Sequence, residues 1–195
     1  MHKGRLEAFS DGVLAIIITI MVLELRPPQH AAHLADLQPL FPVFLAYLLS
    51  FVYVGIYWSN HHHMLLVTQH ITGVVLWANL HLLFWLSLVP FVTAWMGENS
   101  FARVPAALYG FDLLMCAIAY TMLQTTLLRV PGGNPVLARA VGRDAKGKIS
   151  VVFYVTAIVA SYWNPAISYA IYLLVALVWL VPDRRIERQI GEHRD

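Results

Sequence analysis

The stretch that decides the fold lies near the N-terminus and reads Arg5-Leu-Glu-Ala-Phe-Ser-Asp-Gly-Val-Leu-Ala-Ile-Ile-Ile-Thr-Ile-Met-Val-Leu-Glu-Leu25. Its first half carries charged and polar side chains, whereas residues 13–23 are apolar except for Thr19. A carboxylate at the mouth of an apolar helix is costly in lipid unless it finds a partner or water. We therefore predict a functional or assembly role for Asp11. The simpler alternative is a Ser-Asp pair that caps a helix start.

A helical wheel at about 100° per residue gives this segment one apolar stripe. The members of the stripe are Phe9, Gly12, Ile16, Ile20 and Leu23. Thr19 lies at the edge of the stripe, and Ser10 and Asp11 point away from it. The stripe and the polar cluster are therefore expected to meet different neighbours. Taken alone, the stripe is most simply interpreted as ordinary helix packing or lipid contact.

The composition of the chain indicates an integral membrane protein. Its 195 residues are 59% hydrophobic and 12% charged, and the mean hydropathy is +0.64. A soluble domain carries roughly twice that share of charged residues. The net charge of +2 is too small to indicate a nucleic-acid partner. A single cysteine, Cys116, excludes a disulfide within the chain.

Six apolar segments predict an all-α fold with six transmembrane helices. They are residues 5–25, 40–61, 71–96, 104–128, 149–163 and 166–181. Asp11 and Glu24 bound the first apolar run, so we interpret it as a retained span and not as a cleaved signal peptide. Gly55 predicts a close helix approach in the second span. We expect one transmembrane domain over residues 1–182 and a charged cytoplasmic tail over residues 183–195.

The distribution of basic residues predicts the orientation. If there are six spans, almost every Lys and Arg lies on one side: Lys3, Arg5, Arg129, Arg139, Arg143, Lys146, Lys148, Arg184, Arg185, Arg188 and Arg194. The opposite side holds Arg26 and Arg103. We therefore expect a multi-pass protein of the cell membrane with both termini in the cytoplasm.

Polar residues within the spans give little sign of catalysis. His61, His62 and His63 are adjacent, and adjacent side chains on a helix point apart, so we predict no metal site. The chain shows no nucleophile elbow and no catalytic triad pattern, so we predict that it is not an enzyme and needs no cofactor. Asn79 is expected to join helices by hydrogen bonds, while the sequence does not identify a partner for Asp112.

The first segment closely resembles the first helix of a known family through Arg5-x-x-x-Phe9-Ser10-Asp11-Gly12-Val13-x-Ala15-Ile16-x-x-Thr19-x-x-x-Leu23-Glu24. The family is the endolysosomal potassium channels (transmembrane protein 175), in their prokaryotic branch. Its second and third helices are matched by Trp58-x-x-His61-His62, Trp77-x-Asn79-Leu80 and Pro90-Phe91-x-Thr93. The resemblance extends over nearly the whole chain, and the first-helix motif is its most specific part.

The resemblance implies six-helix subunits in a homotetramer, with the first helix of each subunit lining a central pore for monovalent cations. Potassium would pass without a carbonyl filter, and no Thr-Val-Gly-Tyr-Gly sequence is present. Carried over onto this chain, the constriction consists of Ile16, Ile20 and Leu23, with Thr19 adding a polar ring. These positions coincide with the apolar stripe.

The resemblance also implies a structural network that fixes the first helix. Its residues are Arg5, Phe9, Ser10, Asp11, His61, His62, Trp77 and Asn79. We expect Arg5 to be the partner of Asp11. His63 and His81 are additional imidazoles in this chain, and their role stays open.

We therefore predict a potassium-preferring channel in a lipid bilayer, with permeating K+ in place of a cofactor. A secondary transporter or proton pathway using Asp11, Asp112 and the membrane histidines is the alternative. A membrane metalloenzyme would depend on the histidine run alone.

Overall fold

The computed structural model describes residues 3–28, 32–66, 68, 70–130 and 145–180. Within these ranges the chain forms α-helices and one 3-10 helix, and no strand. The predicted all-α class is therefore confirmed. The elements are α1 (Lys3–Leu23), the 3-10 helix (Leu34–Leu40), α2 (Phe41–Leu66), α3 (Gly73–Glu98), α4 (Arg103–Leu128), α5 (Ala145–Ser161) and α6 (Pro165–Leu180).

Four segments are long and apolar enough to cross a membrane: Lys3–Leu23, Leu34–Leu66, Gly73–Glu98 and Arg103–Leu128. The last two helices are shorter, with 17 residues in α5 and 16 in α6. A perpendicular crossing of the hydrocarbon core takes about 20 residues. Length and composition therefore identify four of the six predicted spans; α6 is a shorter apolar helix, and α5 completes the six described α-helices.

Two helices extend beyond the boundaries that the apolar pattern predicts. α2 continues past His61 to Leu66, because Met64 and Leu65 are buried in the core and hold the last turn in place. α5 begins at Ala145, so Lys146 and Lys148 lie in a helix and not in a loop. The rest of the predicted polar segment, residues 131–144, lies outside the described residues, as does the charged tail.

The bundle places α1 at its edge. α1 packs chiefly against α2 and α3, whereas α4 lies between α3, α5 and α6. One apolar core cluster contains residues of α1, α2, α3 and α4. The residues from α1 include Leu14, Ile17 and Met21. A second cluster joins α2, α3 and α4 to α5 and α6. Consequently, one side of α1 is fixed by its own chain, and the described part of the chain leaves the other side exposed.

A close approach between helix backbones lies at Gly97 and not at the predicted glycine, Gly55. A Cβ atom at Gly97 would lie 2.7 Å from the Cα atom of Val43, so α2 and α3 meet there through backbone. A Cβ atom at Gly55 would have no neighbour within 4 Å. The prediction for Gly55 is therefore wrong within the chain, because a glycine in a span shows that an approach is possible but not that a partner is near.

Candidate functional site

α1 presents two faces that differ sharply in burial. Leu6, Ser10, Leu14, Ile17 and Met21 are buried at intervals of three or four residues, the spacing of one helix face. The stripe predicted from the sequence lies on the opposite face. Its side chains are exposed in the single chain, with 54% at Phe9, 58% at Ile16, 43% at Ile20 and 73% at Leu23.

Thr19 is exposed beside the stripe, and its hydroxyl hydrogen is used within α1. Thr19 Oγ1 lies 2.8 Å from the carbonyl oxygen of Ile16 and 3.1 Å from that of Ala15. The hydroxyl therefore donates to the backbone of the preceding turn. Its oxygen lone pairs are left to face outward, so Thr19 can offer an acceptor but not a free donor.

A buried chain of polar groups ties α1 to α2 and α3. Ser10 Oγ donates to the carbonyl oxygen of Leu6 at 2.9 Å and accepts from Asn79 Nδ2 at 3.0 Å. His61 Nε2 lies 2.7 Å from Asn79 Oδ1. A carbonyl oxygen can only accept, so Nε2 of His61 carries the hydrogen. All three side chains are buried, and polar groups in such surroundings hold helices in one orientation because breaking the chain would leave them unpaired.

A second contact holds the same turn of α1 from outside the core. Trp58 Nε1 donates to Asp11 Oδ1 at 3.0 Å. The indole of Trp58 stacks on the imidazole of His62, with ring centroids 5.9 Å apart. Asp11, Trp58 and His62 are all exposed in the single chain. The carboxylate therefore has a partner on α2, while the aromatic pair remains open on its other side.

The remaining members of the predicted network are not drawn into these contacts within one chain. Arg5 is exposed and forms no ion pair with the residues that the structure describes. Phe9 and Trp77 are also exposed, Trp77 to 75%. The predicted pairing of Arg5 with Asp11 is not formed within the chain, and Lys3 is the basic residue that forms an ion pair near the start of α1. It lies 3.5 Å from Glu7 and donates to the carbonyl oxygen of Leu66 at 3.0 Å.

Trp58 is the functional residue that sequence reasoning missed as a partner for Asp11. The signal was present in the motif Trp58-x-x-His61-His62, where Trp58 lies one helical turn before His62. Hydropathy alone treats this indole as an apolar residue of the span. Its ring N–H is a donor that needs an acceptor when it leaves water.

The additional histidines make local contacts. His63 Nδ1 donates to the carbonyl oxygen of Ser59 at 2.7 Å, and Trp85 Nε1 donates to His81 Nε2 at 3.0 Å. Each partner lies one turn away on the same helix. Over the described ranges, no three His, Cys, Asp or Glu side chains converge as metal ligands would.

These features define a class of protein: a polytopic all-helical membrane protein whose edge helix carries an uncovered apolar stripe. The family model described as the endosomal/lysosomal potassium channel TMEM175 matches residues 5–90. A potassium channel of Chryseobacterium sp. is 55% identical over 193 residues, which cover 99% of this chain and 100% of the relative. The chain belongs to the TMEM175 family.

A solved structure extends the similarity to the fold. A crystal structure titled as a lysosomal potassium-selective channel TMEM175 homolog from Chamaesiphon minutus superposes with a TM-score of 0.78 at 28% identity. The superposition covers 93% of this chain and 97% of that one. The endosomal/lysosomal proton channel TMEM175 of Rattus norvegicus is 31% identical over 132 residues, 62% of this chain but 26% of the rat protein. The predicted family and the prediction that the chain is not an enzyme are thereby confirmed, since the family is one of channels.

Proposed function

We propose that this chain forms a potassium-preferring cation channel in the cell membrane. The observation that carries the proposal is the apolar stripe on α1, which the helices of its own chain leave uncovered. Support comes from the full-length relative that is 55% identical and named a potassium channel. The solved structure of a homolog described as a potassium-selective channel adds to this support, because it matches nearly the whole chain.

In the proposed assembly, four copies arrange their α1 helices around one axis. Closed cyclic symmetry turns one exposed face into a continuous lining, because each subunit presents the same residues to the axis. Ile16, Ile20 and Leu23 would then form successive apolar rings, with Thr19 adding hydroxyl oxygens between them. An apolar ring repels water and ions until it widens, so it can gate a pore by dewetting without a filter of backbone carbonyls.

The polar contacts around Ser10 and Asp11 suit a role in fixing the rotation of α1, so that the stripe faces the pore axis. Successive positions on a helix are about 100° apart, so a modest rotation of α1 would turn Ile16 away from the axis. Ser10 is held by Asn79 at 3.0 Å and Asp11 by Trp58 at 3.0 Å, from two different helices. We propose that Arg5, Phe9, His62 and Trp77, exposed in one chain, complete this network against the neighbouring subunit.

We further propose that both termini lie in the cytoplasm. The basis is the concentration of Lys and Arg in the N-terminal segment, the segment from Arg129 to Lys148 and the tail. Positive residues accumulate on the cytoplasmic side of membrane proteins. In this orientation the Asp11–Trp58 contact lies toward the cytoplasm and Leu23 toward the outside.

Proton conduction is the second candidate function. It is favoured by the name of the rat relative, a proton channel that aligns with 62% of this chain. A coupled transporter would need a second ion to move with the first, whereas either channel function would not.

Flux through purified protein in liposomes tests these functions. With a potassium gradient and no other gradient, a channel should move charge down the gradient and show unitary current steps in planar bilayers. Transport that requires a second ion gradient would contradict the channel. A pH gradient imposed with only a large impermeant organic cation present isolates the proton current. If this current persists and potassium current is absent, the protein is a proton channel and the potassium proposal is wrong.

A further inference from the structure

Asp112 lies deep inside the subunit, on the helix at the centre of the bundle. It is 2% exposed and, at 1.5 Å rise per residue, lies about 14 Å along α4 from Arg103. Neither carboxyl oxygen has a hydrogen-bond partner among the described residues. A buried polar group without any partner is rare in folded proteins and calls for an explanation.

Among the residues that the structure describes, Asp112 has no ion-pair partner. The ionisable side chains one helical turn away on α4 are Tyr109 and Cys116. Tyr109 is already hydrogen-bonded to Ser50, its hydroxyl oxygen 3.0 Å from Ser50 Oγ. None of these groups is a cation, and the ion pairs formed by the described residues do not involve Asp112.

The other helices packed against α4 do not provide a cation there either. α3 contributes His81 and Glu98 as ionisable groups; His81 Nε2 accepts from Trp85, and Glu98 is exposed at the helix end. α5 and α6 contribute the hydroxyls of Tyr154 and Tyr172, which interact with Cys116 and Tyr109 respectively. Lys146 and Lys148 lie in the first turn of α5, at the opposite end of that helix from Ser161.

We propose that Asp112 is a proton-binding site inside each subunit, occupied at neutral pH and separate from the stripe of α1. An ionised carboxylate without a partner in a low-dielectric interior is far more costly than the neutral acid. The neutral acid suits this buried position, where the neighbours one helical turn away on α4 are a phenol, Tyr109, and a thiol, Cys116. The site is separate from the stripe because α1 packs chiefly on α2 and α3, on the other side of the bundle from α5 and α6.

The proton held by Asp112 is independent of which ion the channel passes. Asp112→Asn replaces the neutral acid by a neutral amide of nearly the same shape, so the subunit should keep its fold. Asp11→Asn is the matched control, because Asp11 is exposed and its carboxyl oxygen accepts from an indole N–H, whereas Asp112 is buried without a partner among the described residues.

Infrared difference spectroscopy of the full-length protein in lipid vesicles at neutral pH provides the test. Wild type minus Asp112→Asn should show the C=O stretching band of a protonated carboxyl group. Wild type minus Asp11→Asn should lack this band. A difference spectrum for Asp112 with carboxylate bands and no protonated band would overturn the proposal.

A second measurement covers the case in which Asp112→Asn does not fold. The wild type by itself should show the protonated-carboxyl band at neutral pH, and Asp112→Glu should shift its frequency. Absence of the band from the wild type at neutral pH overturns the proposal equally. Potassium flux is not the readout in either case, so failure here and failure of the channel proposal are distinguishable.

Discussion

The indole nitrogen of Trp58 lies 3.0 Å from Asp11 Oδ1 and donates a hydrogen bond to it across the α1–α2 interface. The same indole stacks on His62. Asp11 follows Ser10 in the sequence, and Ser10 is part of the buried polar chain because it accepts a hydrogen bond from Asn79. Two independent polar attachments therefore hold one turn of α1, from which the exposed stripe continues.

Trp58→Phe should weaken the attachment of α1 and lower the yield of assembled oligomer. The ring is kept but the donor is removed, and a hydrogen bond to a charged group contributes about 1.5–3 kcal/mol. Asp11→Ala should have a similar effect. The double variant should be little worse than either single variant, because both remove the same bond. Size-exclusion chromatography of the purified protein in detergent measures the oligomer fraction.

Arg5→Ala is the comparison that separates the two possible partners of Asp11. Within the chain Arg5 is exposed and forms no ion pair with the described residues. If Trp58 is the principal partner, Arg5→Ala should combine additively with Asp11→Ala. Strong coupling between Arg5 and Asp11, with none between Trp58 and Asp11, would contradict this assignment.

Asn79→Ala should destabilise the subunit. The substitution leaves the N–H of His61 Nε2 without its acceptor in a buried site and removes the donor to Ser10 Oγ, which keeps its own bond to the carbonyl oxygen of Leu6. Each unsatisfied buried group costs about 1–3 kcal/mol. Asn99→Ala is the control, since Asn99 is exposed and its side chain donates to the carbonyl oxygen of Trp95 in the preceding turn. Equal thermal unfolding temperatures for the two variants would show that the buried polar chain contributes little.

The helix faces were predictable from the sequence, but the contacts between helices were only partly so. Burial of Ser10 and exposure of Ile16 follow from 3.6 residues per turn, because a polar cluster and an apolar stripe on one helix must face different neighbours. The partner of Asp11 lies 47 residues away, and no periodicity within one helix encodes such a pairing. The buried polar chain joining Ser10, Asn79 and His61 was anticipated through the family motif.

Helix ends and close approaches were harder to predict for a different physical reason. Hydropathy marks the part of a helix that suits lipid, whereas backbone hydrogen bonds continue into polar residues such as those after His61 and before Ile149. Similarly, Gly55 and Gly97 look alike in the sequence. Only the packing of α3 on Val43 distinguishes Gly97, which has no room for a side chain.

Gly97→Ala should destabilise the bundle, whereas Gly55→Ala should be neutral or slightly stabilising within the subunit. The new Cβ at position 97 would lie 2.7 Å from the Cα of Val43, so α2 and α3 would have to separate. At position 55 the Cβ meets nothing within 4 Å, and alanine favours a helix over glycine by about 1 kcal/mol. Thermal unfolding in detergent compares the two variants. If Gly55→Ala lowers the unfolding temperature more than Gly97→Ala does, another helix must pack against α2 at Gly55.

Cysteine labelling should establish the orientation. In a Cys116→Ala background, Ser100→Cys should react with an impermeant thiol reagent added outside intact cells, and Gly142→Cys should not. Ser100 is exposed in the connection between α3 and α4, so burial does not limit its reaction. Labelling of Gly142→Cys from outside, with Ser100→Cys protected, would reverse the proposed topology.

Ile16→Asn should raise basal cation current and reduce the preference for potassium over sodium. Ile16 is 58% exposed in the single chain and lies on the stripe that no helix of the chain covers. In a ring of four subunits, an amide at this position would attract water into an otherwise apolar constriction and remove the barrier that dewetting creates. Potassium and sodium currents in planar bilayers, measured at equal protein density, give both quantities.

Ile17→Asn is the matched control for Ile16→Asn, because the two side chains have the same composition and lie one residue apart on α1. Ile17 is 3% exposed and packs in the core cluster that joins α1 to α2, α3 and α4. An unpaired amide there costs about 1–3 kcal/mol, so this variant should lose folded protein while the channels that do assemble keep wild-type conductance. If Ile17→Asn alters conductance and selectivity while Ile16→Asn leaves both unchanged, the conducting surface lies on the other side of α1 and the four-subunit arrangement proposed for the stripe is wrong.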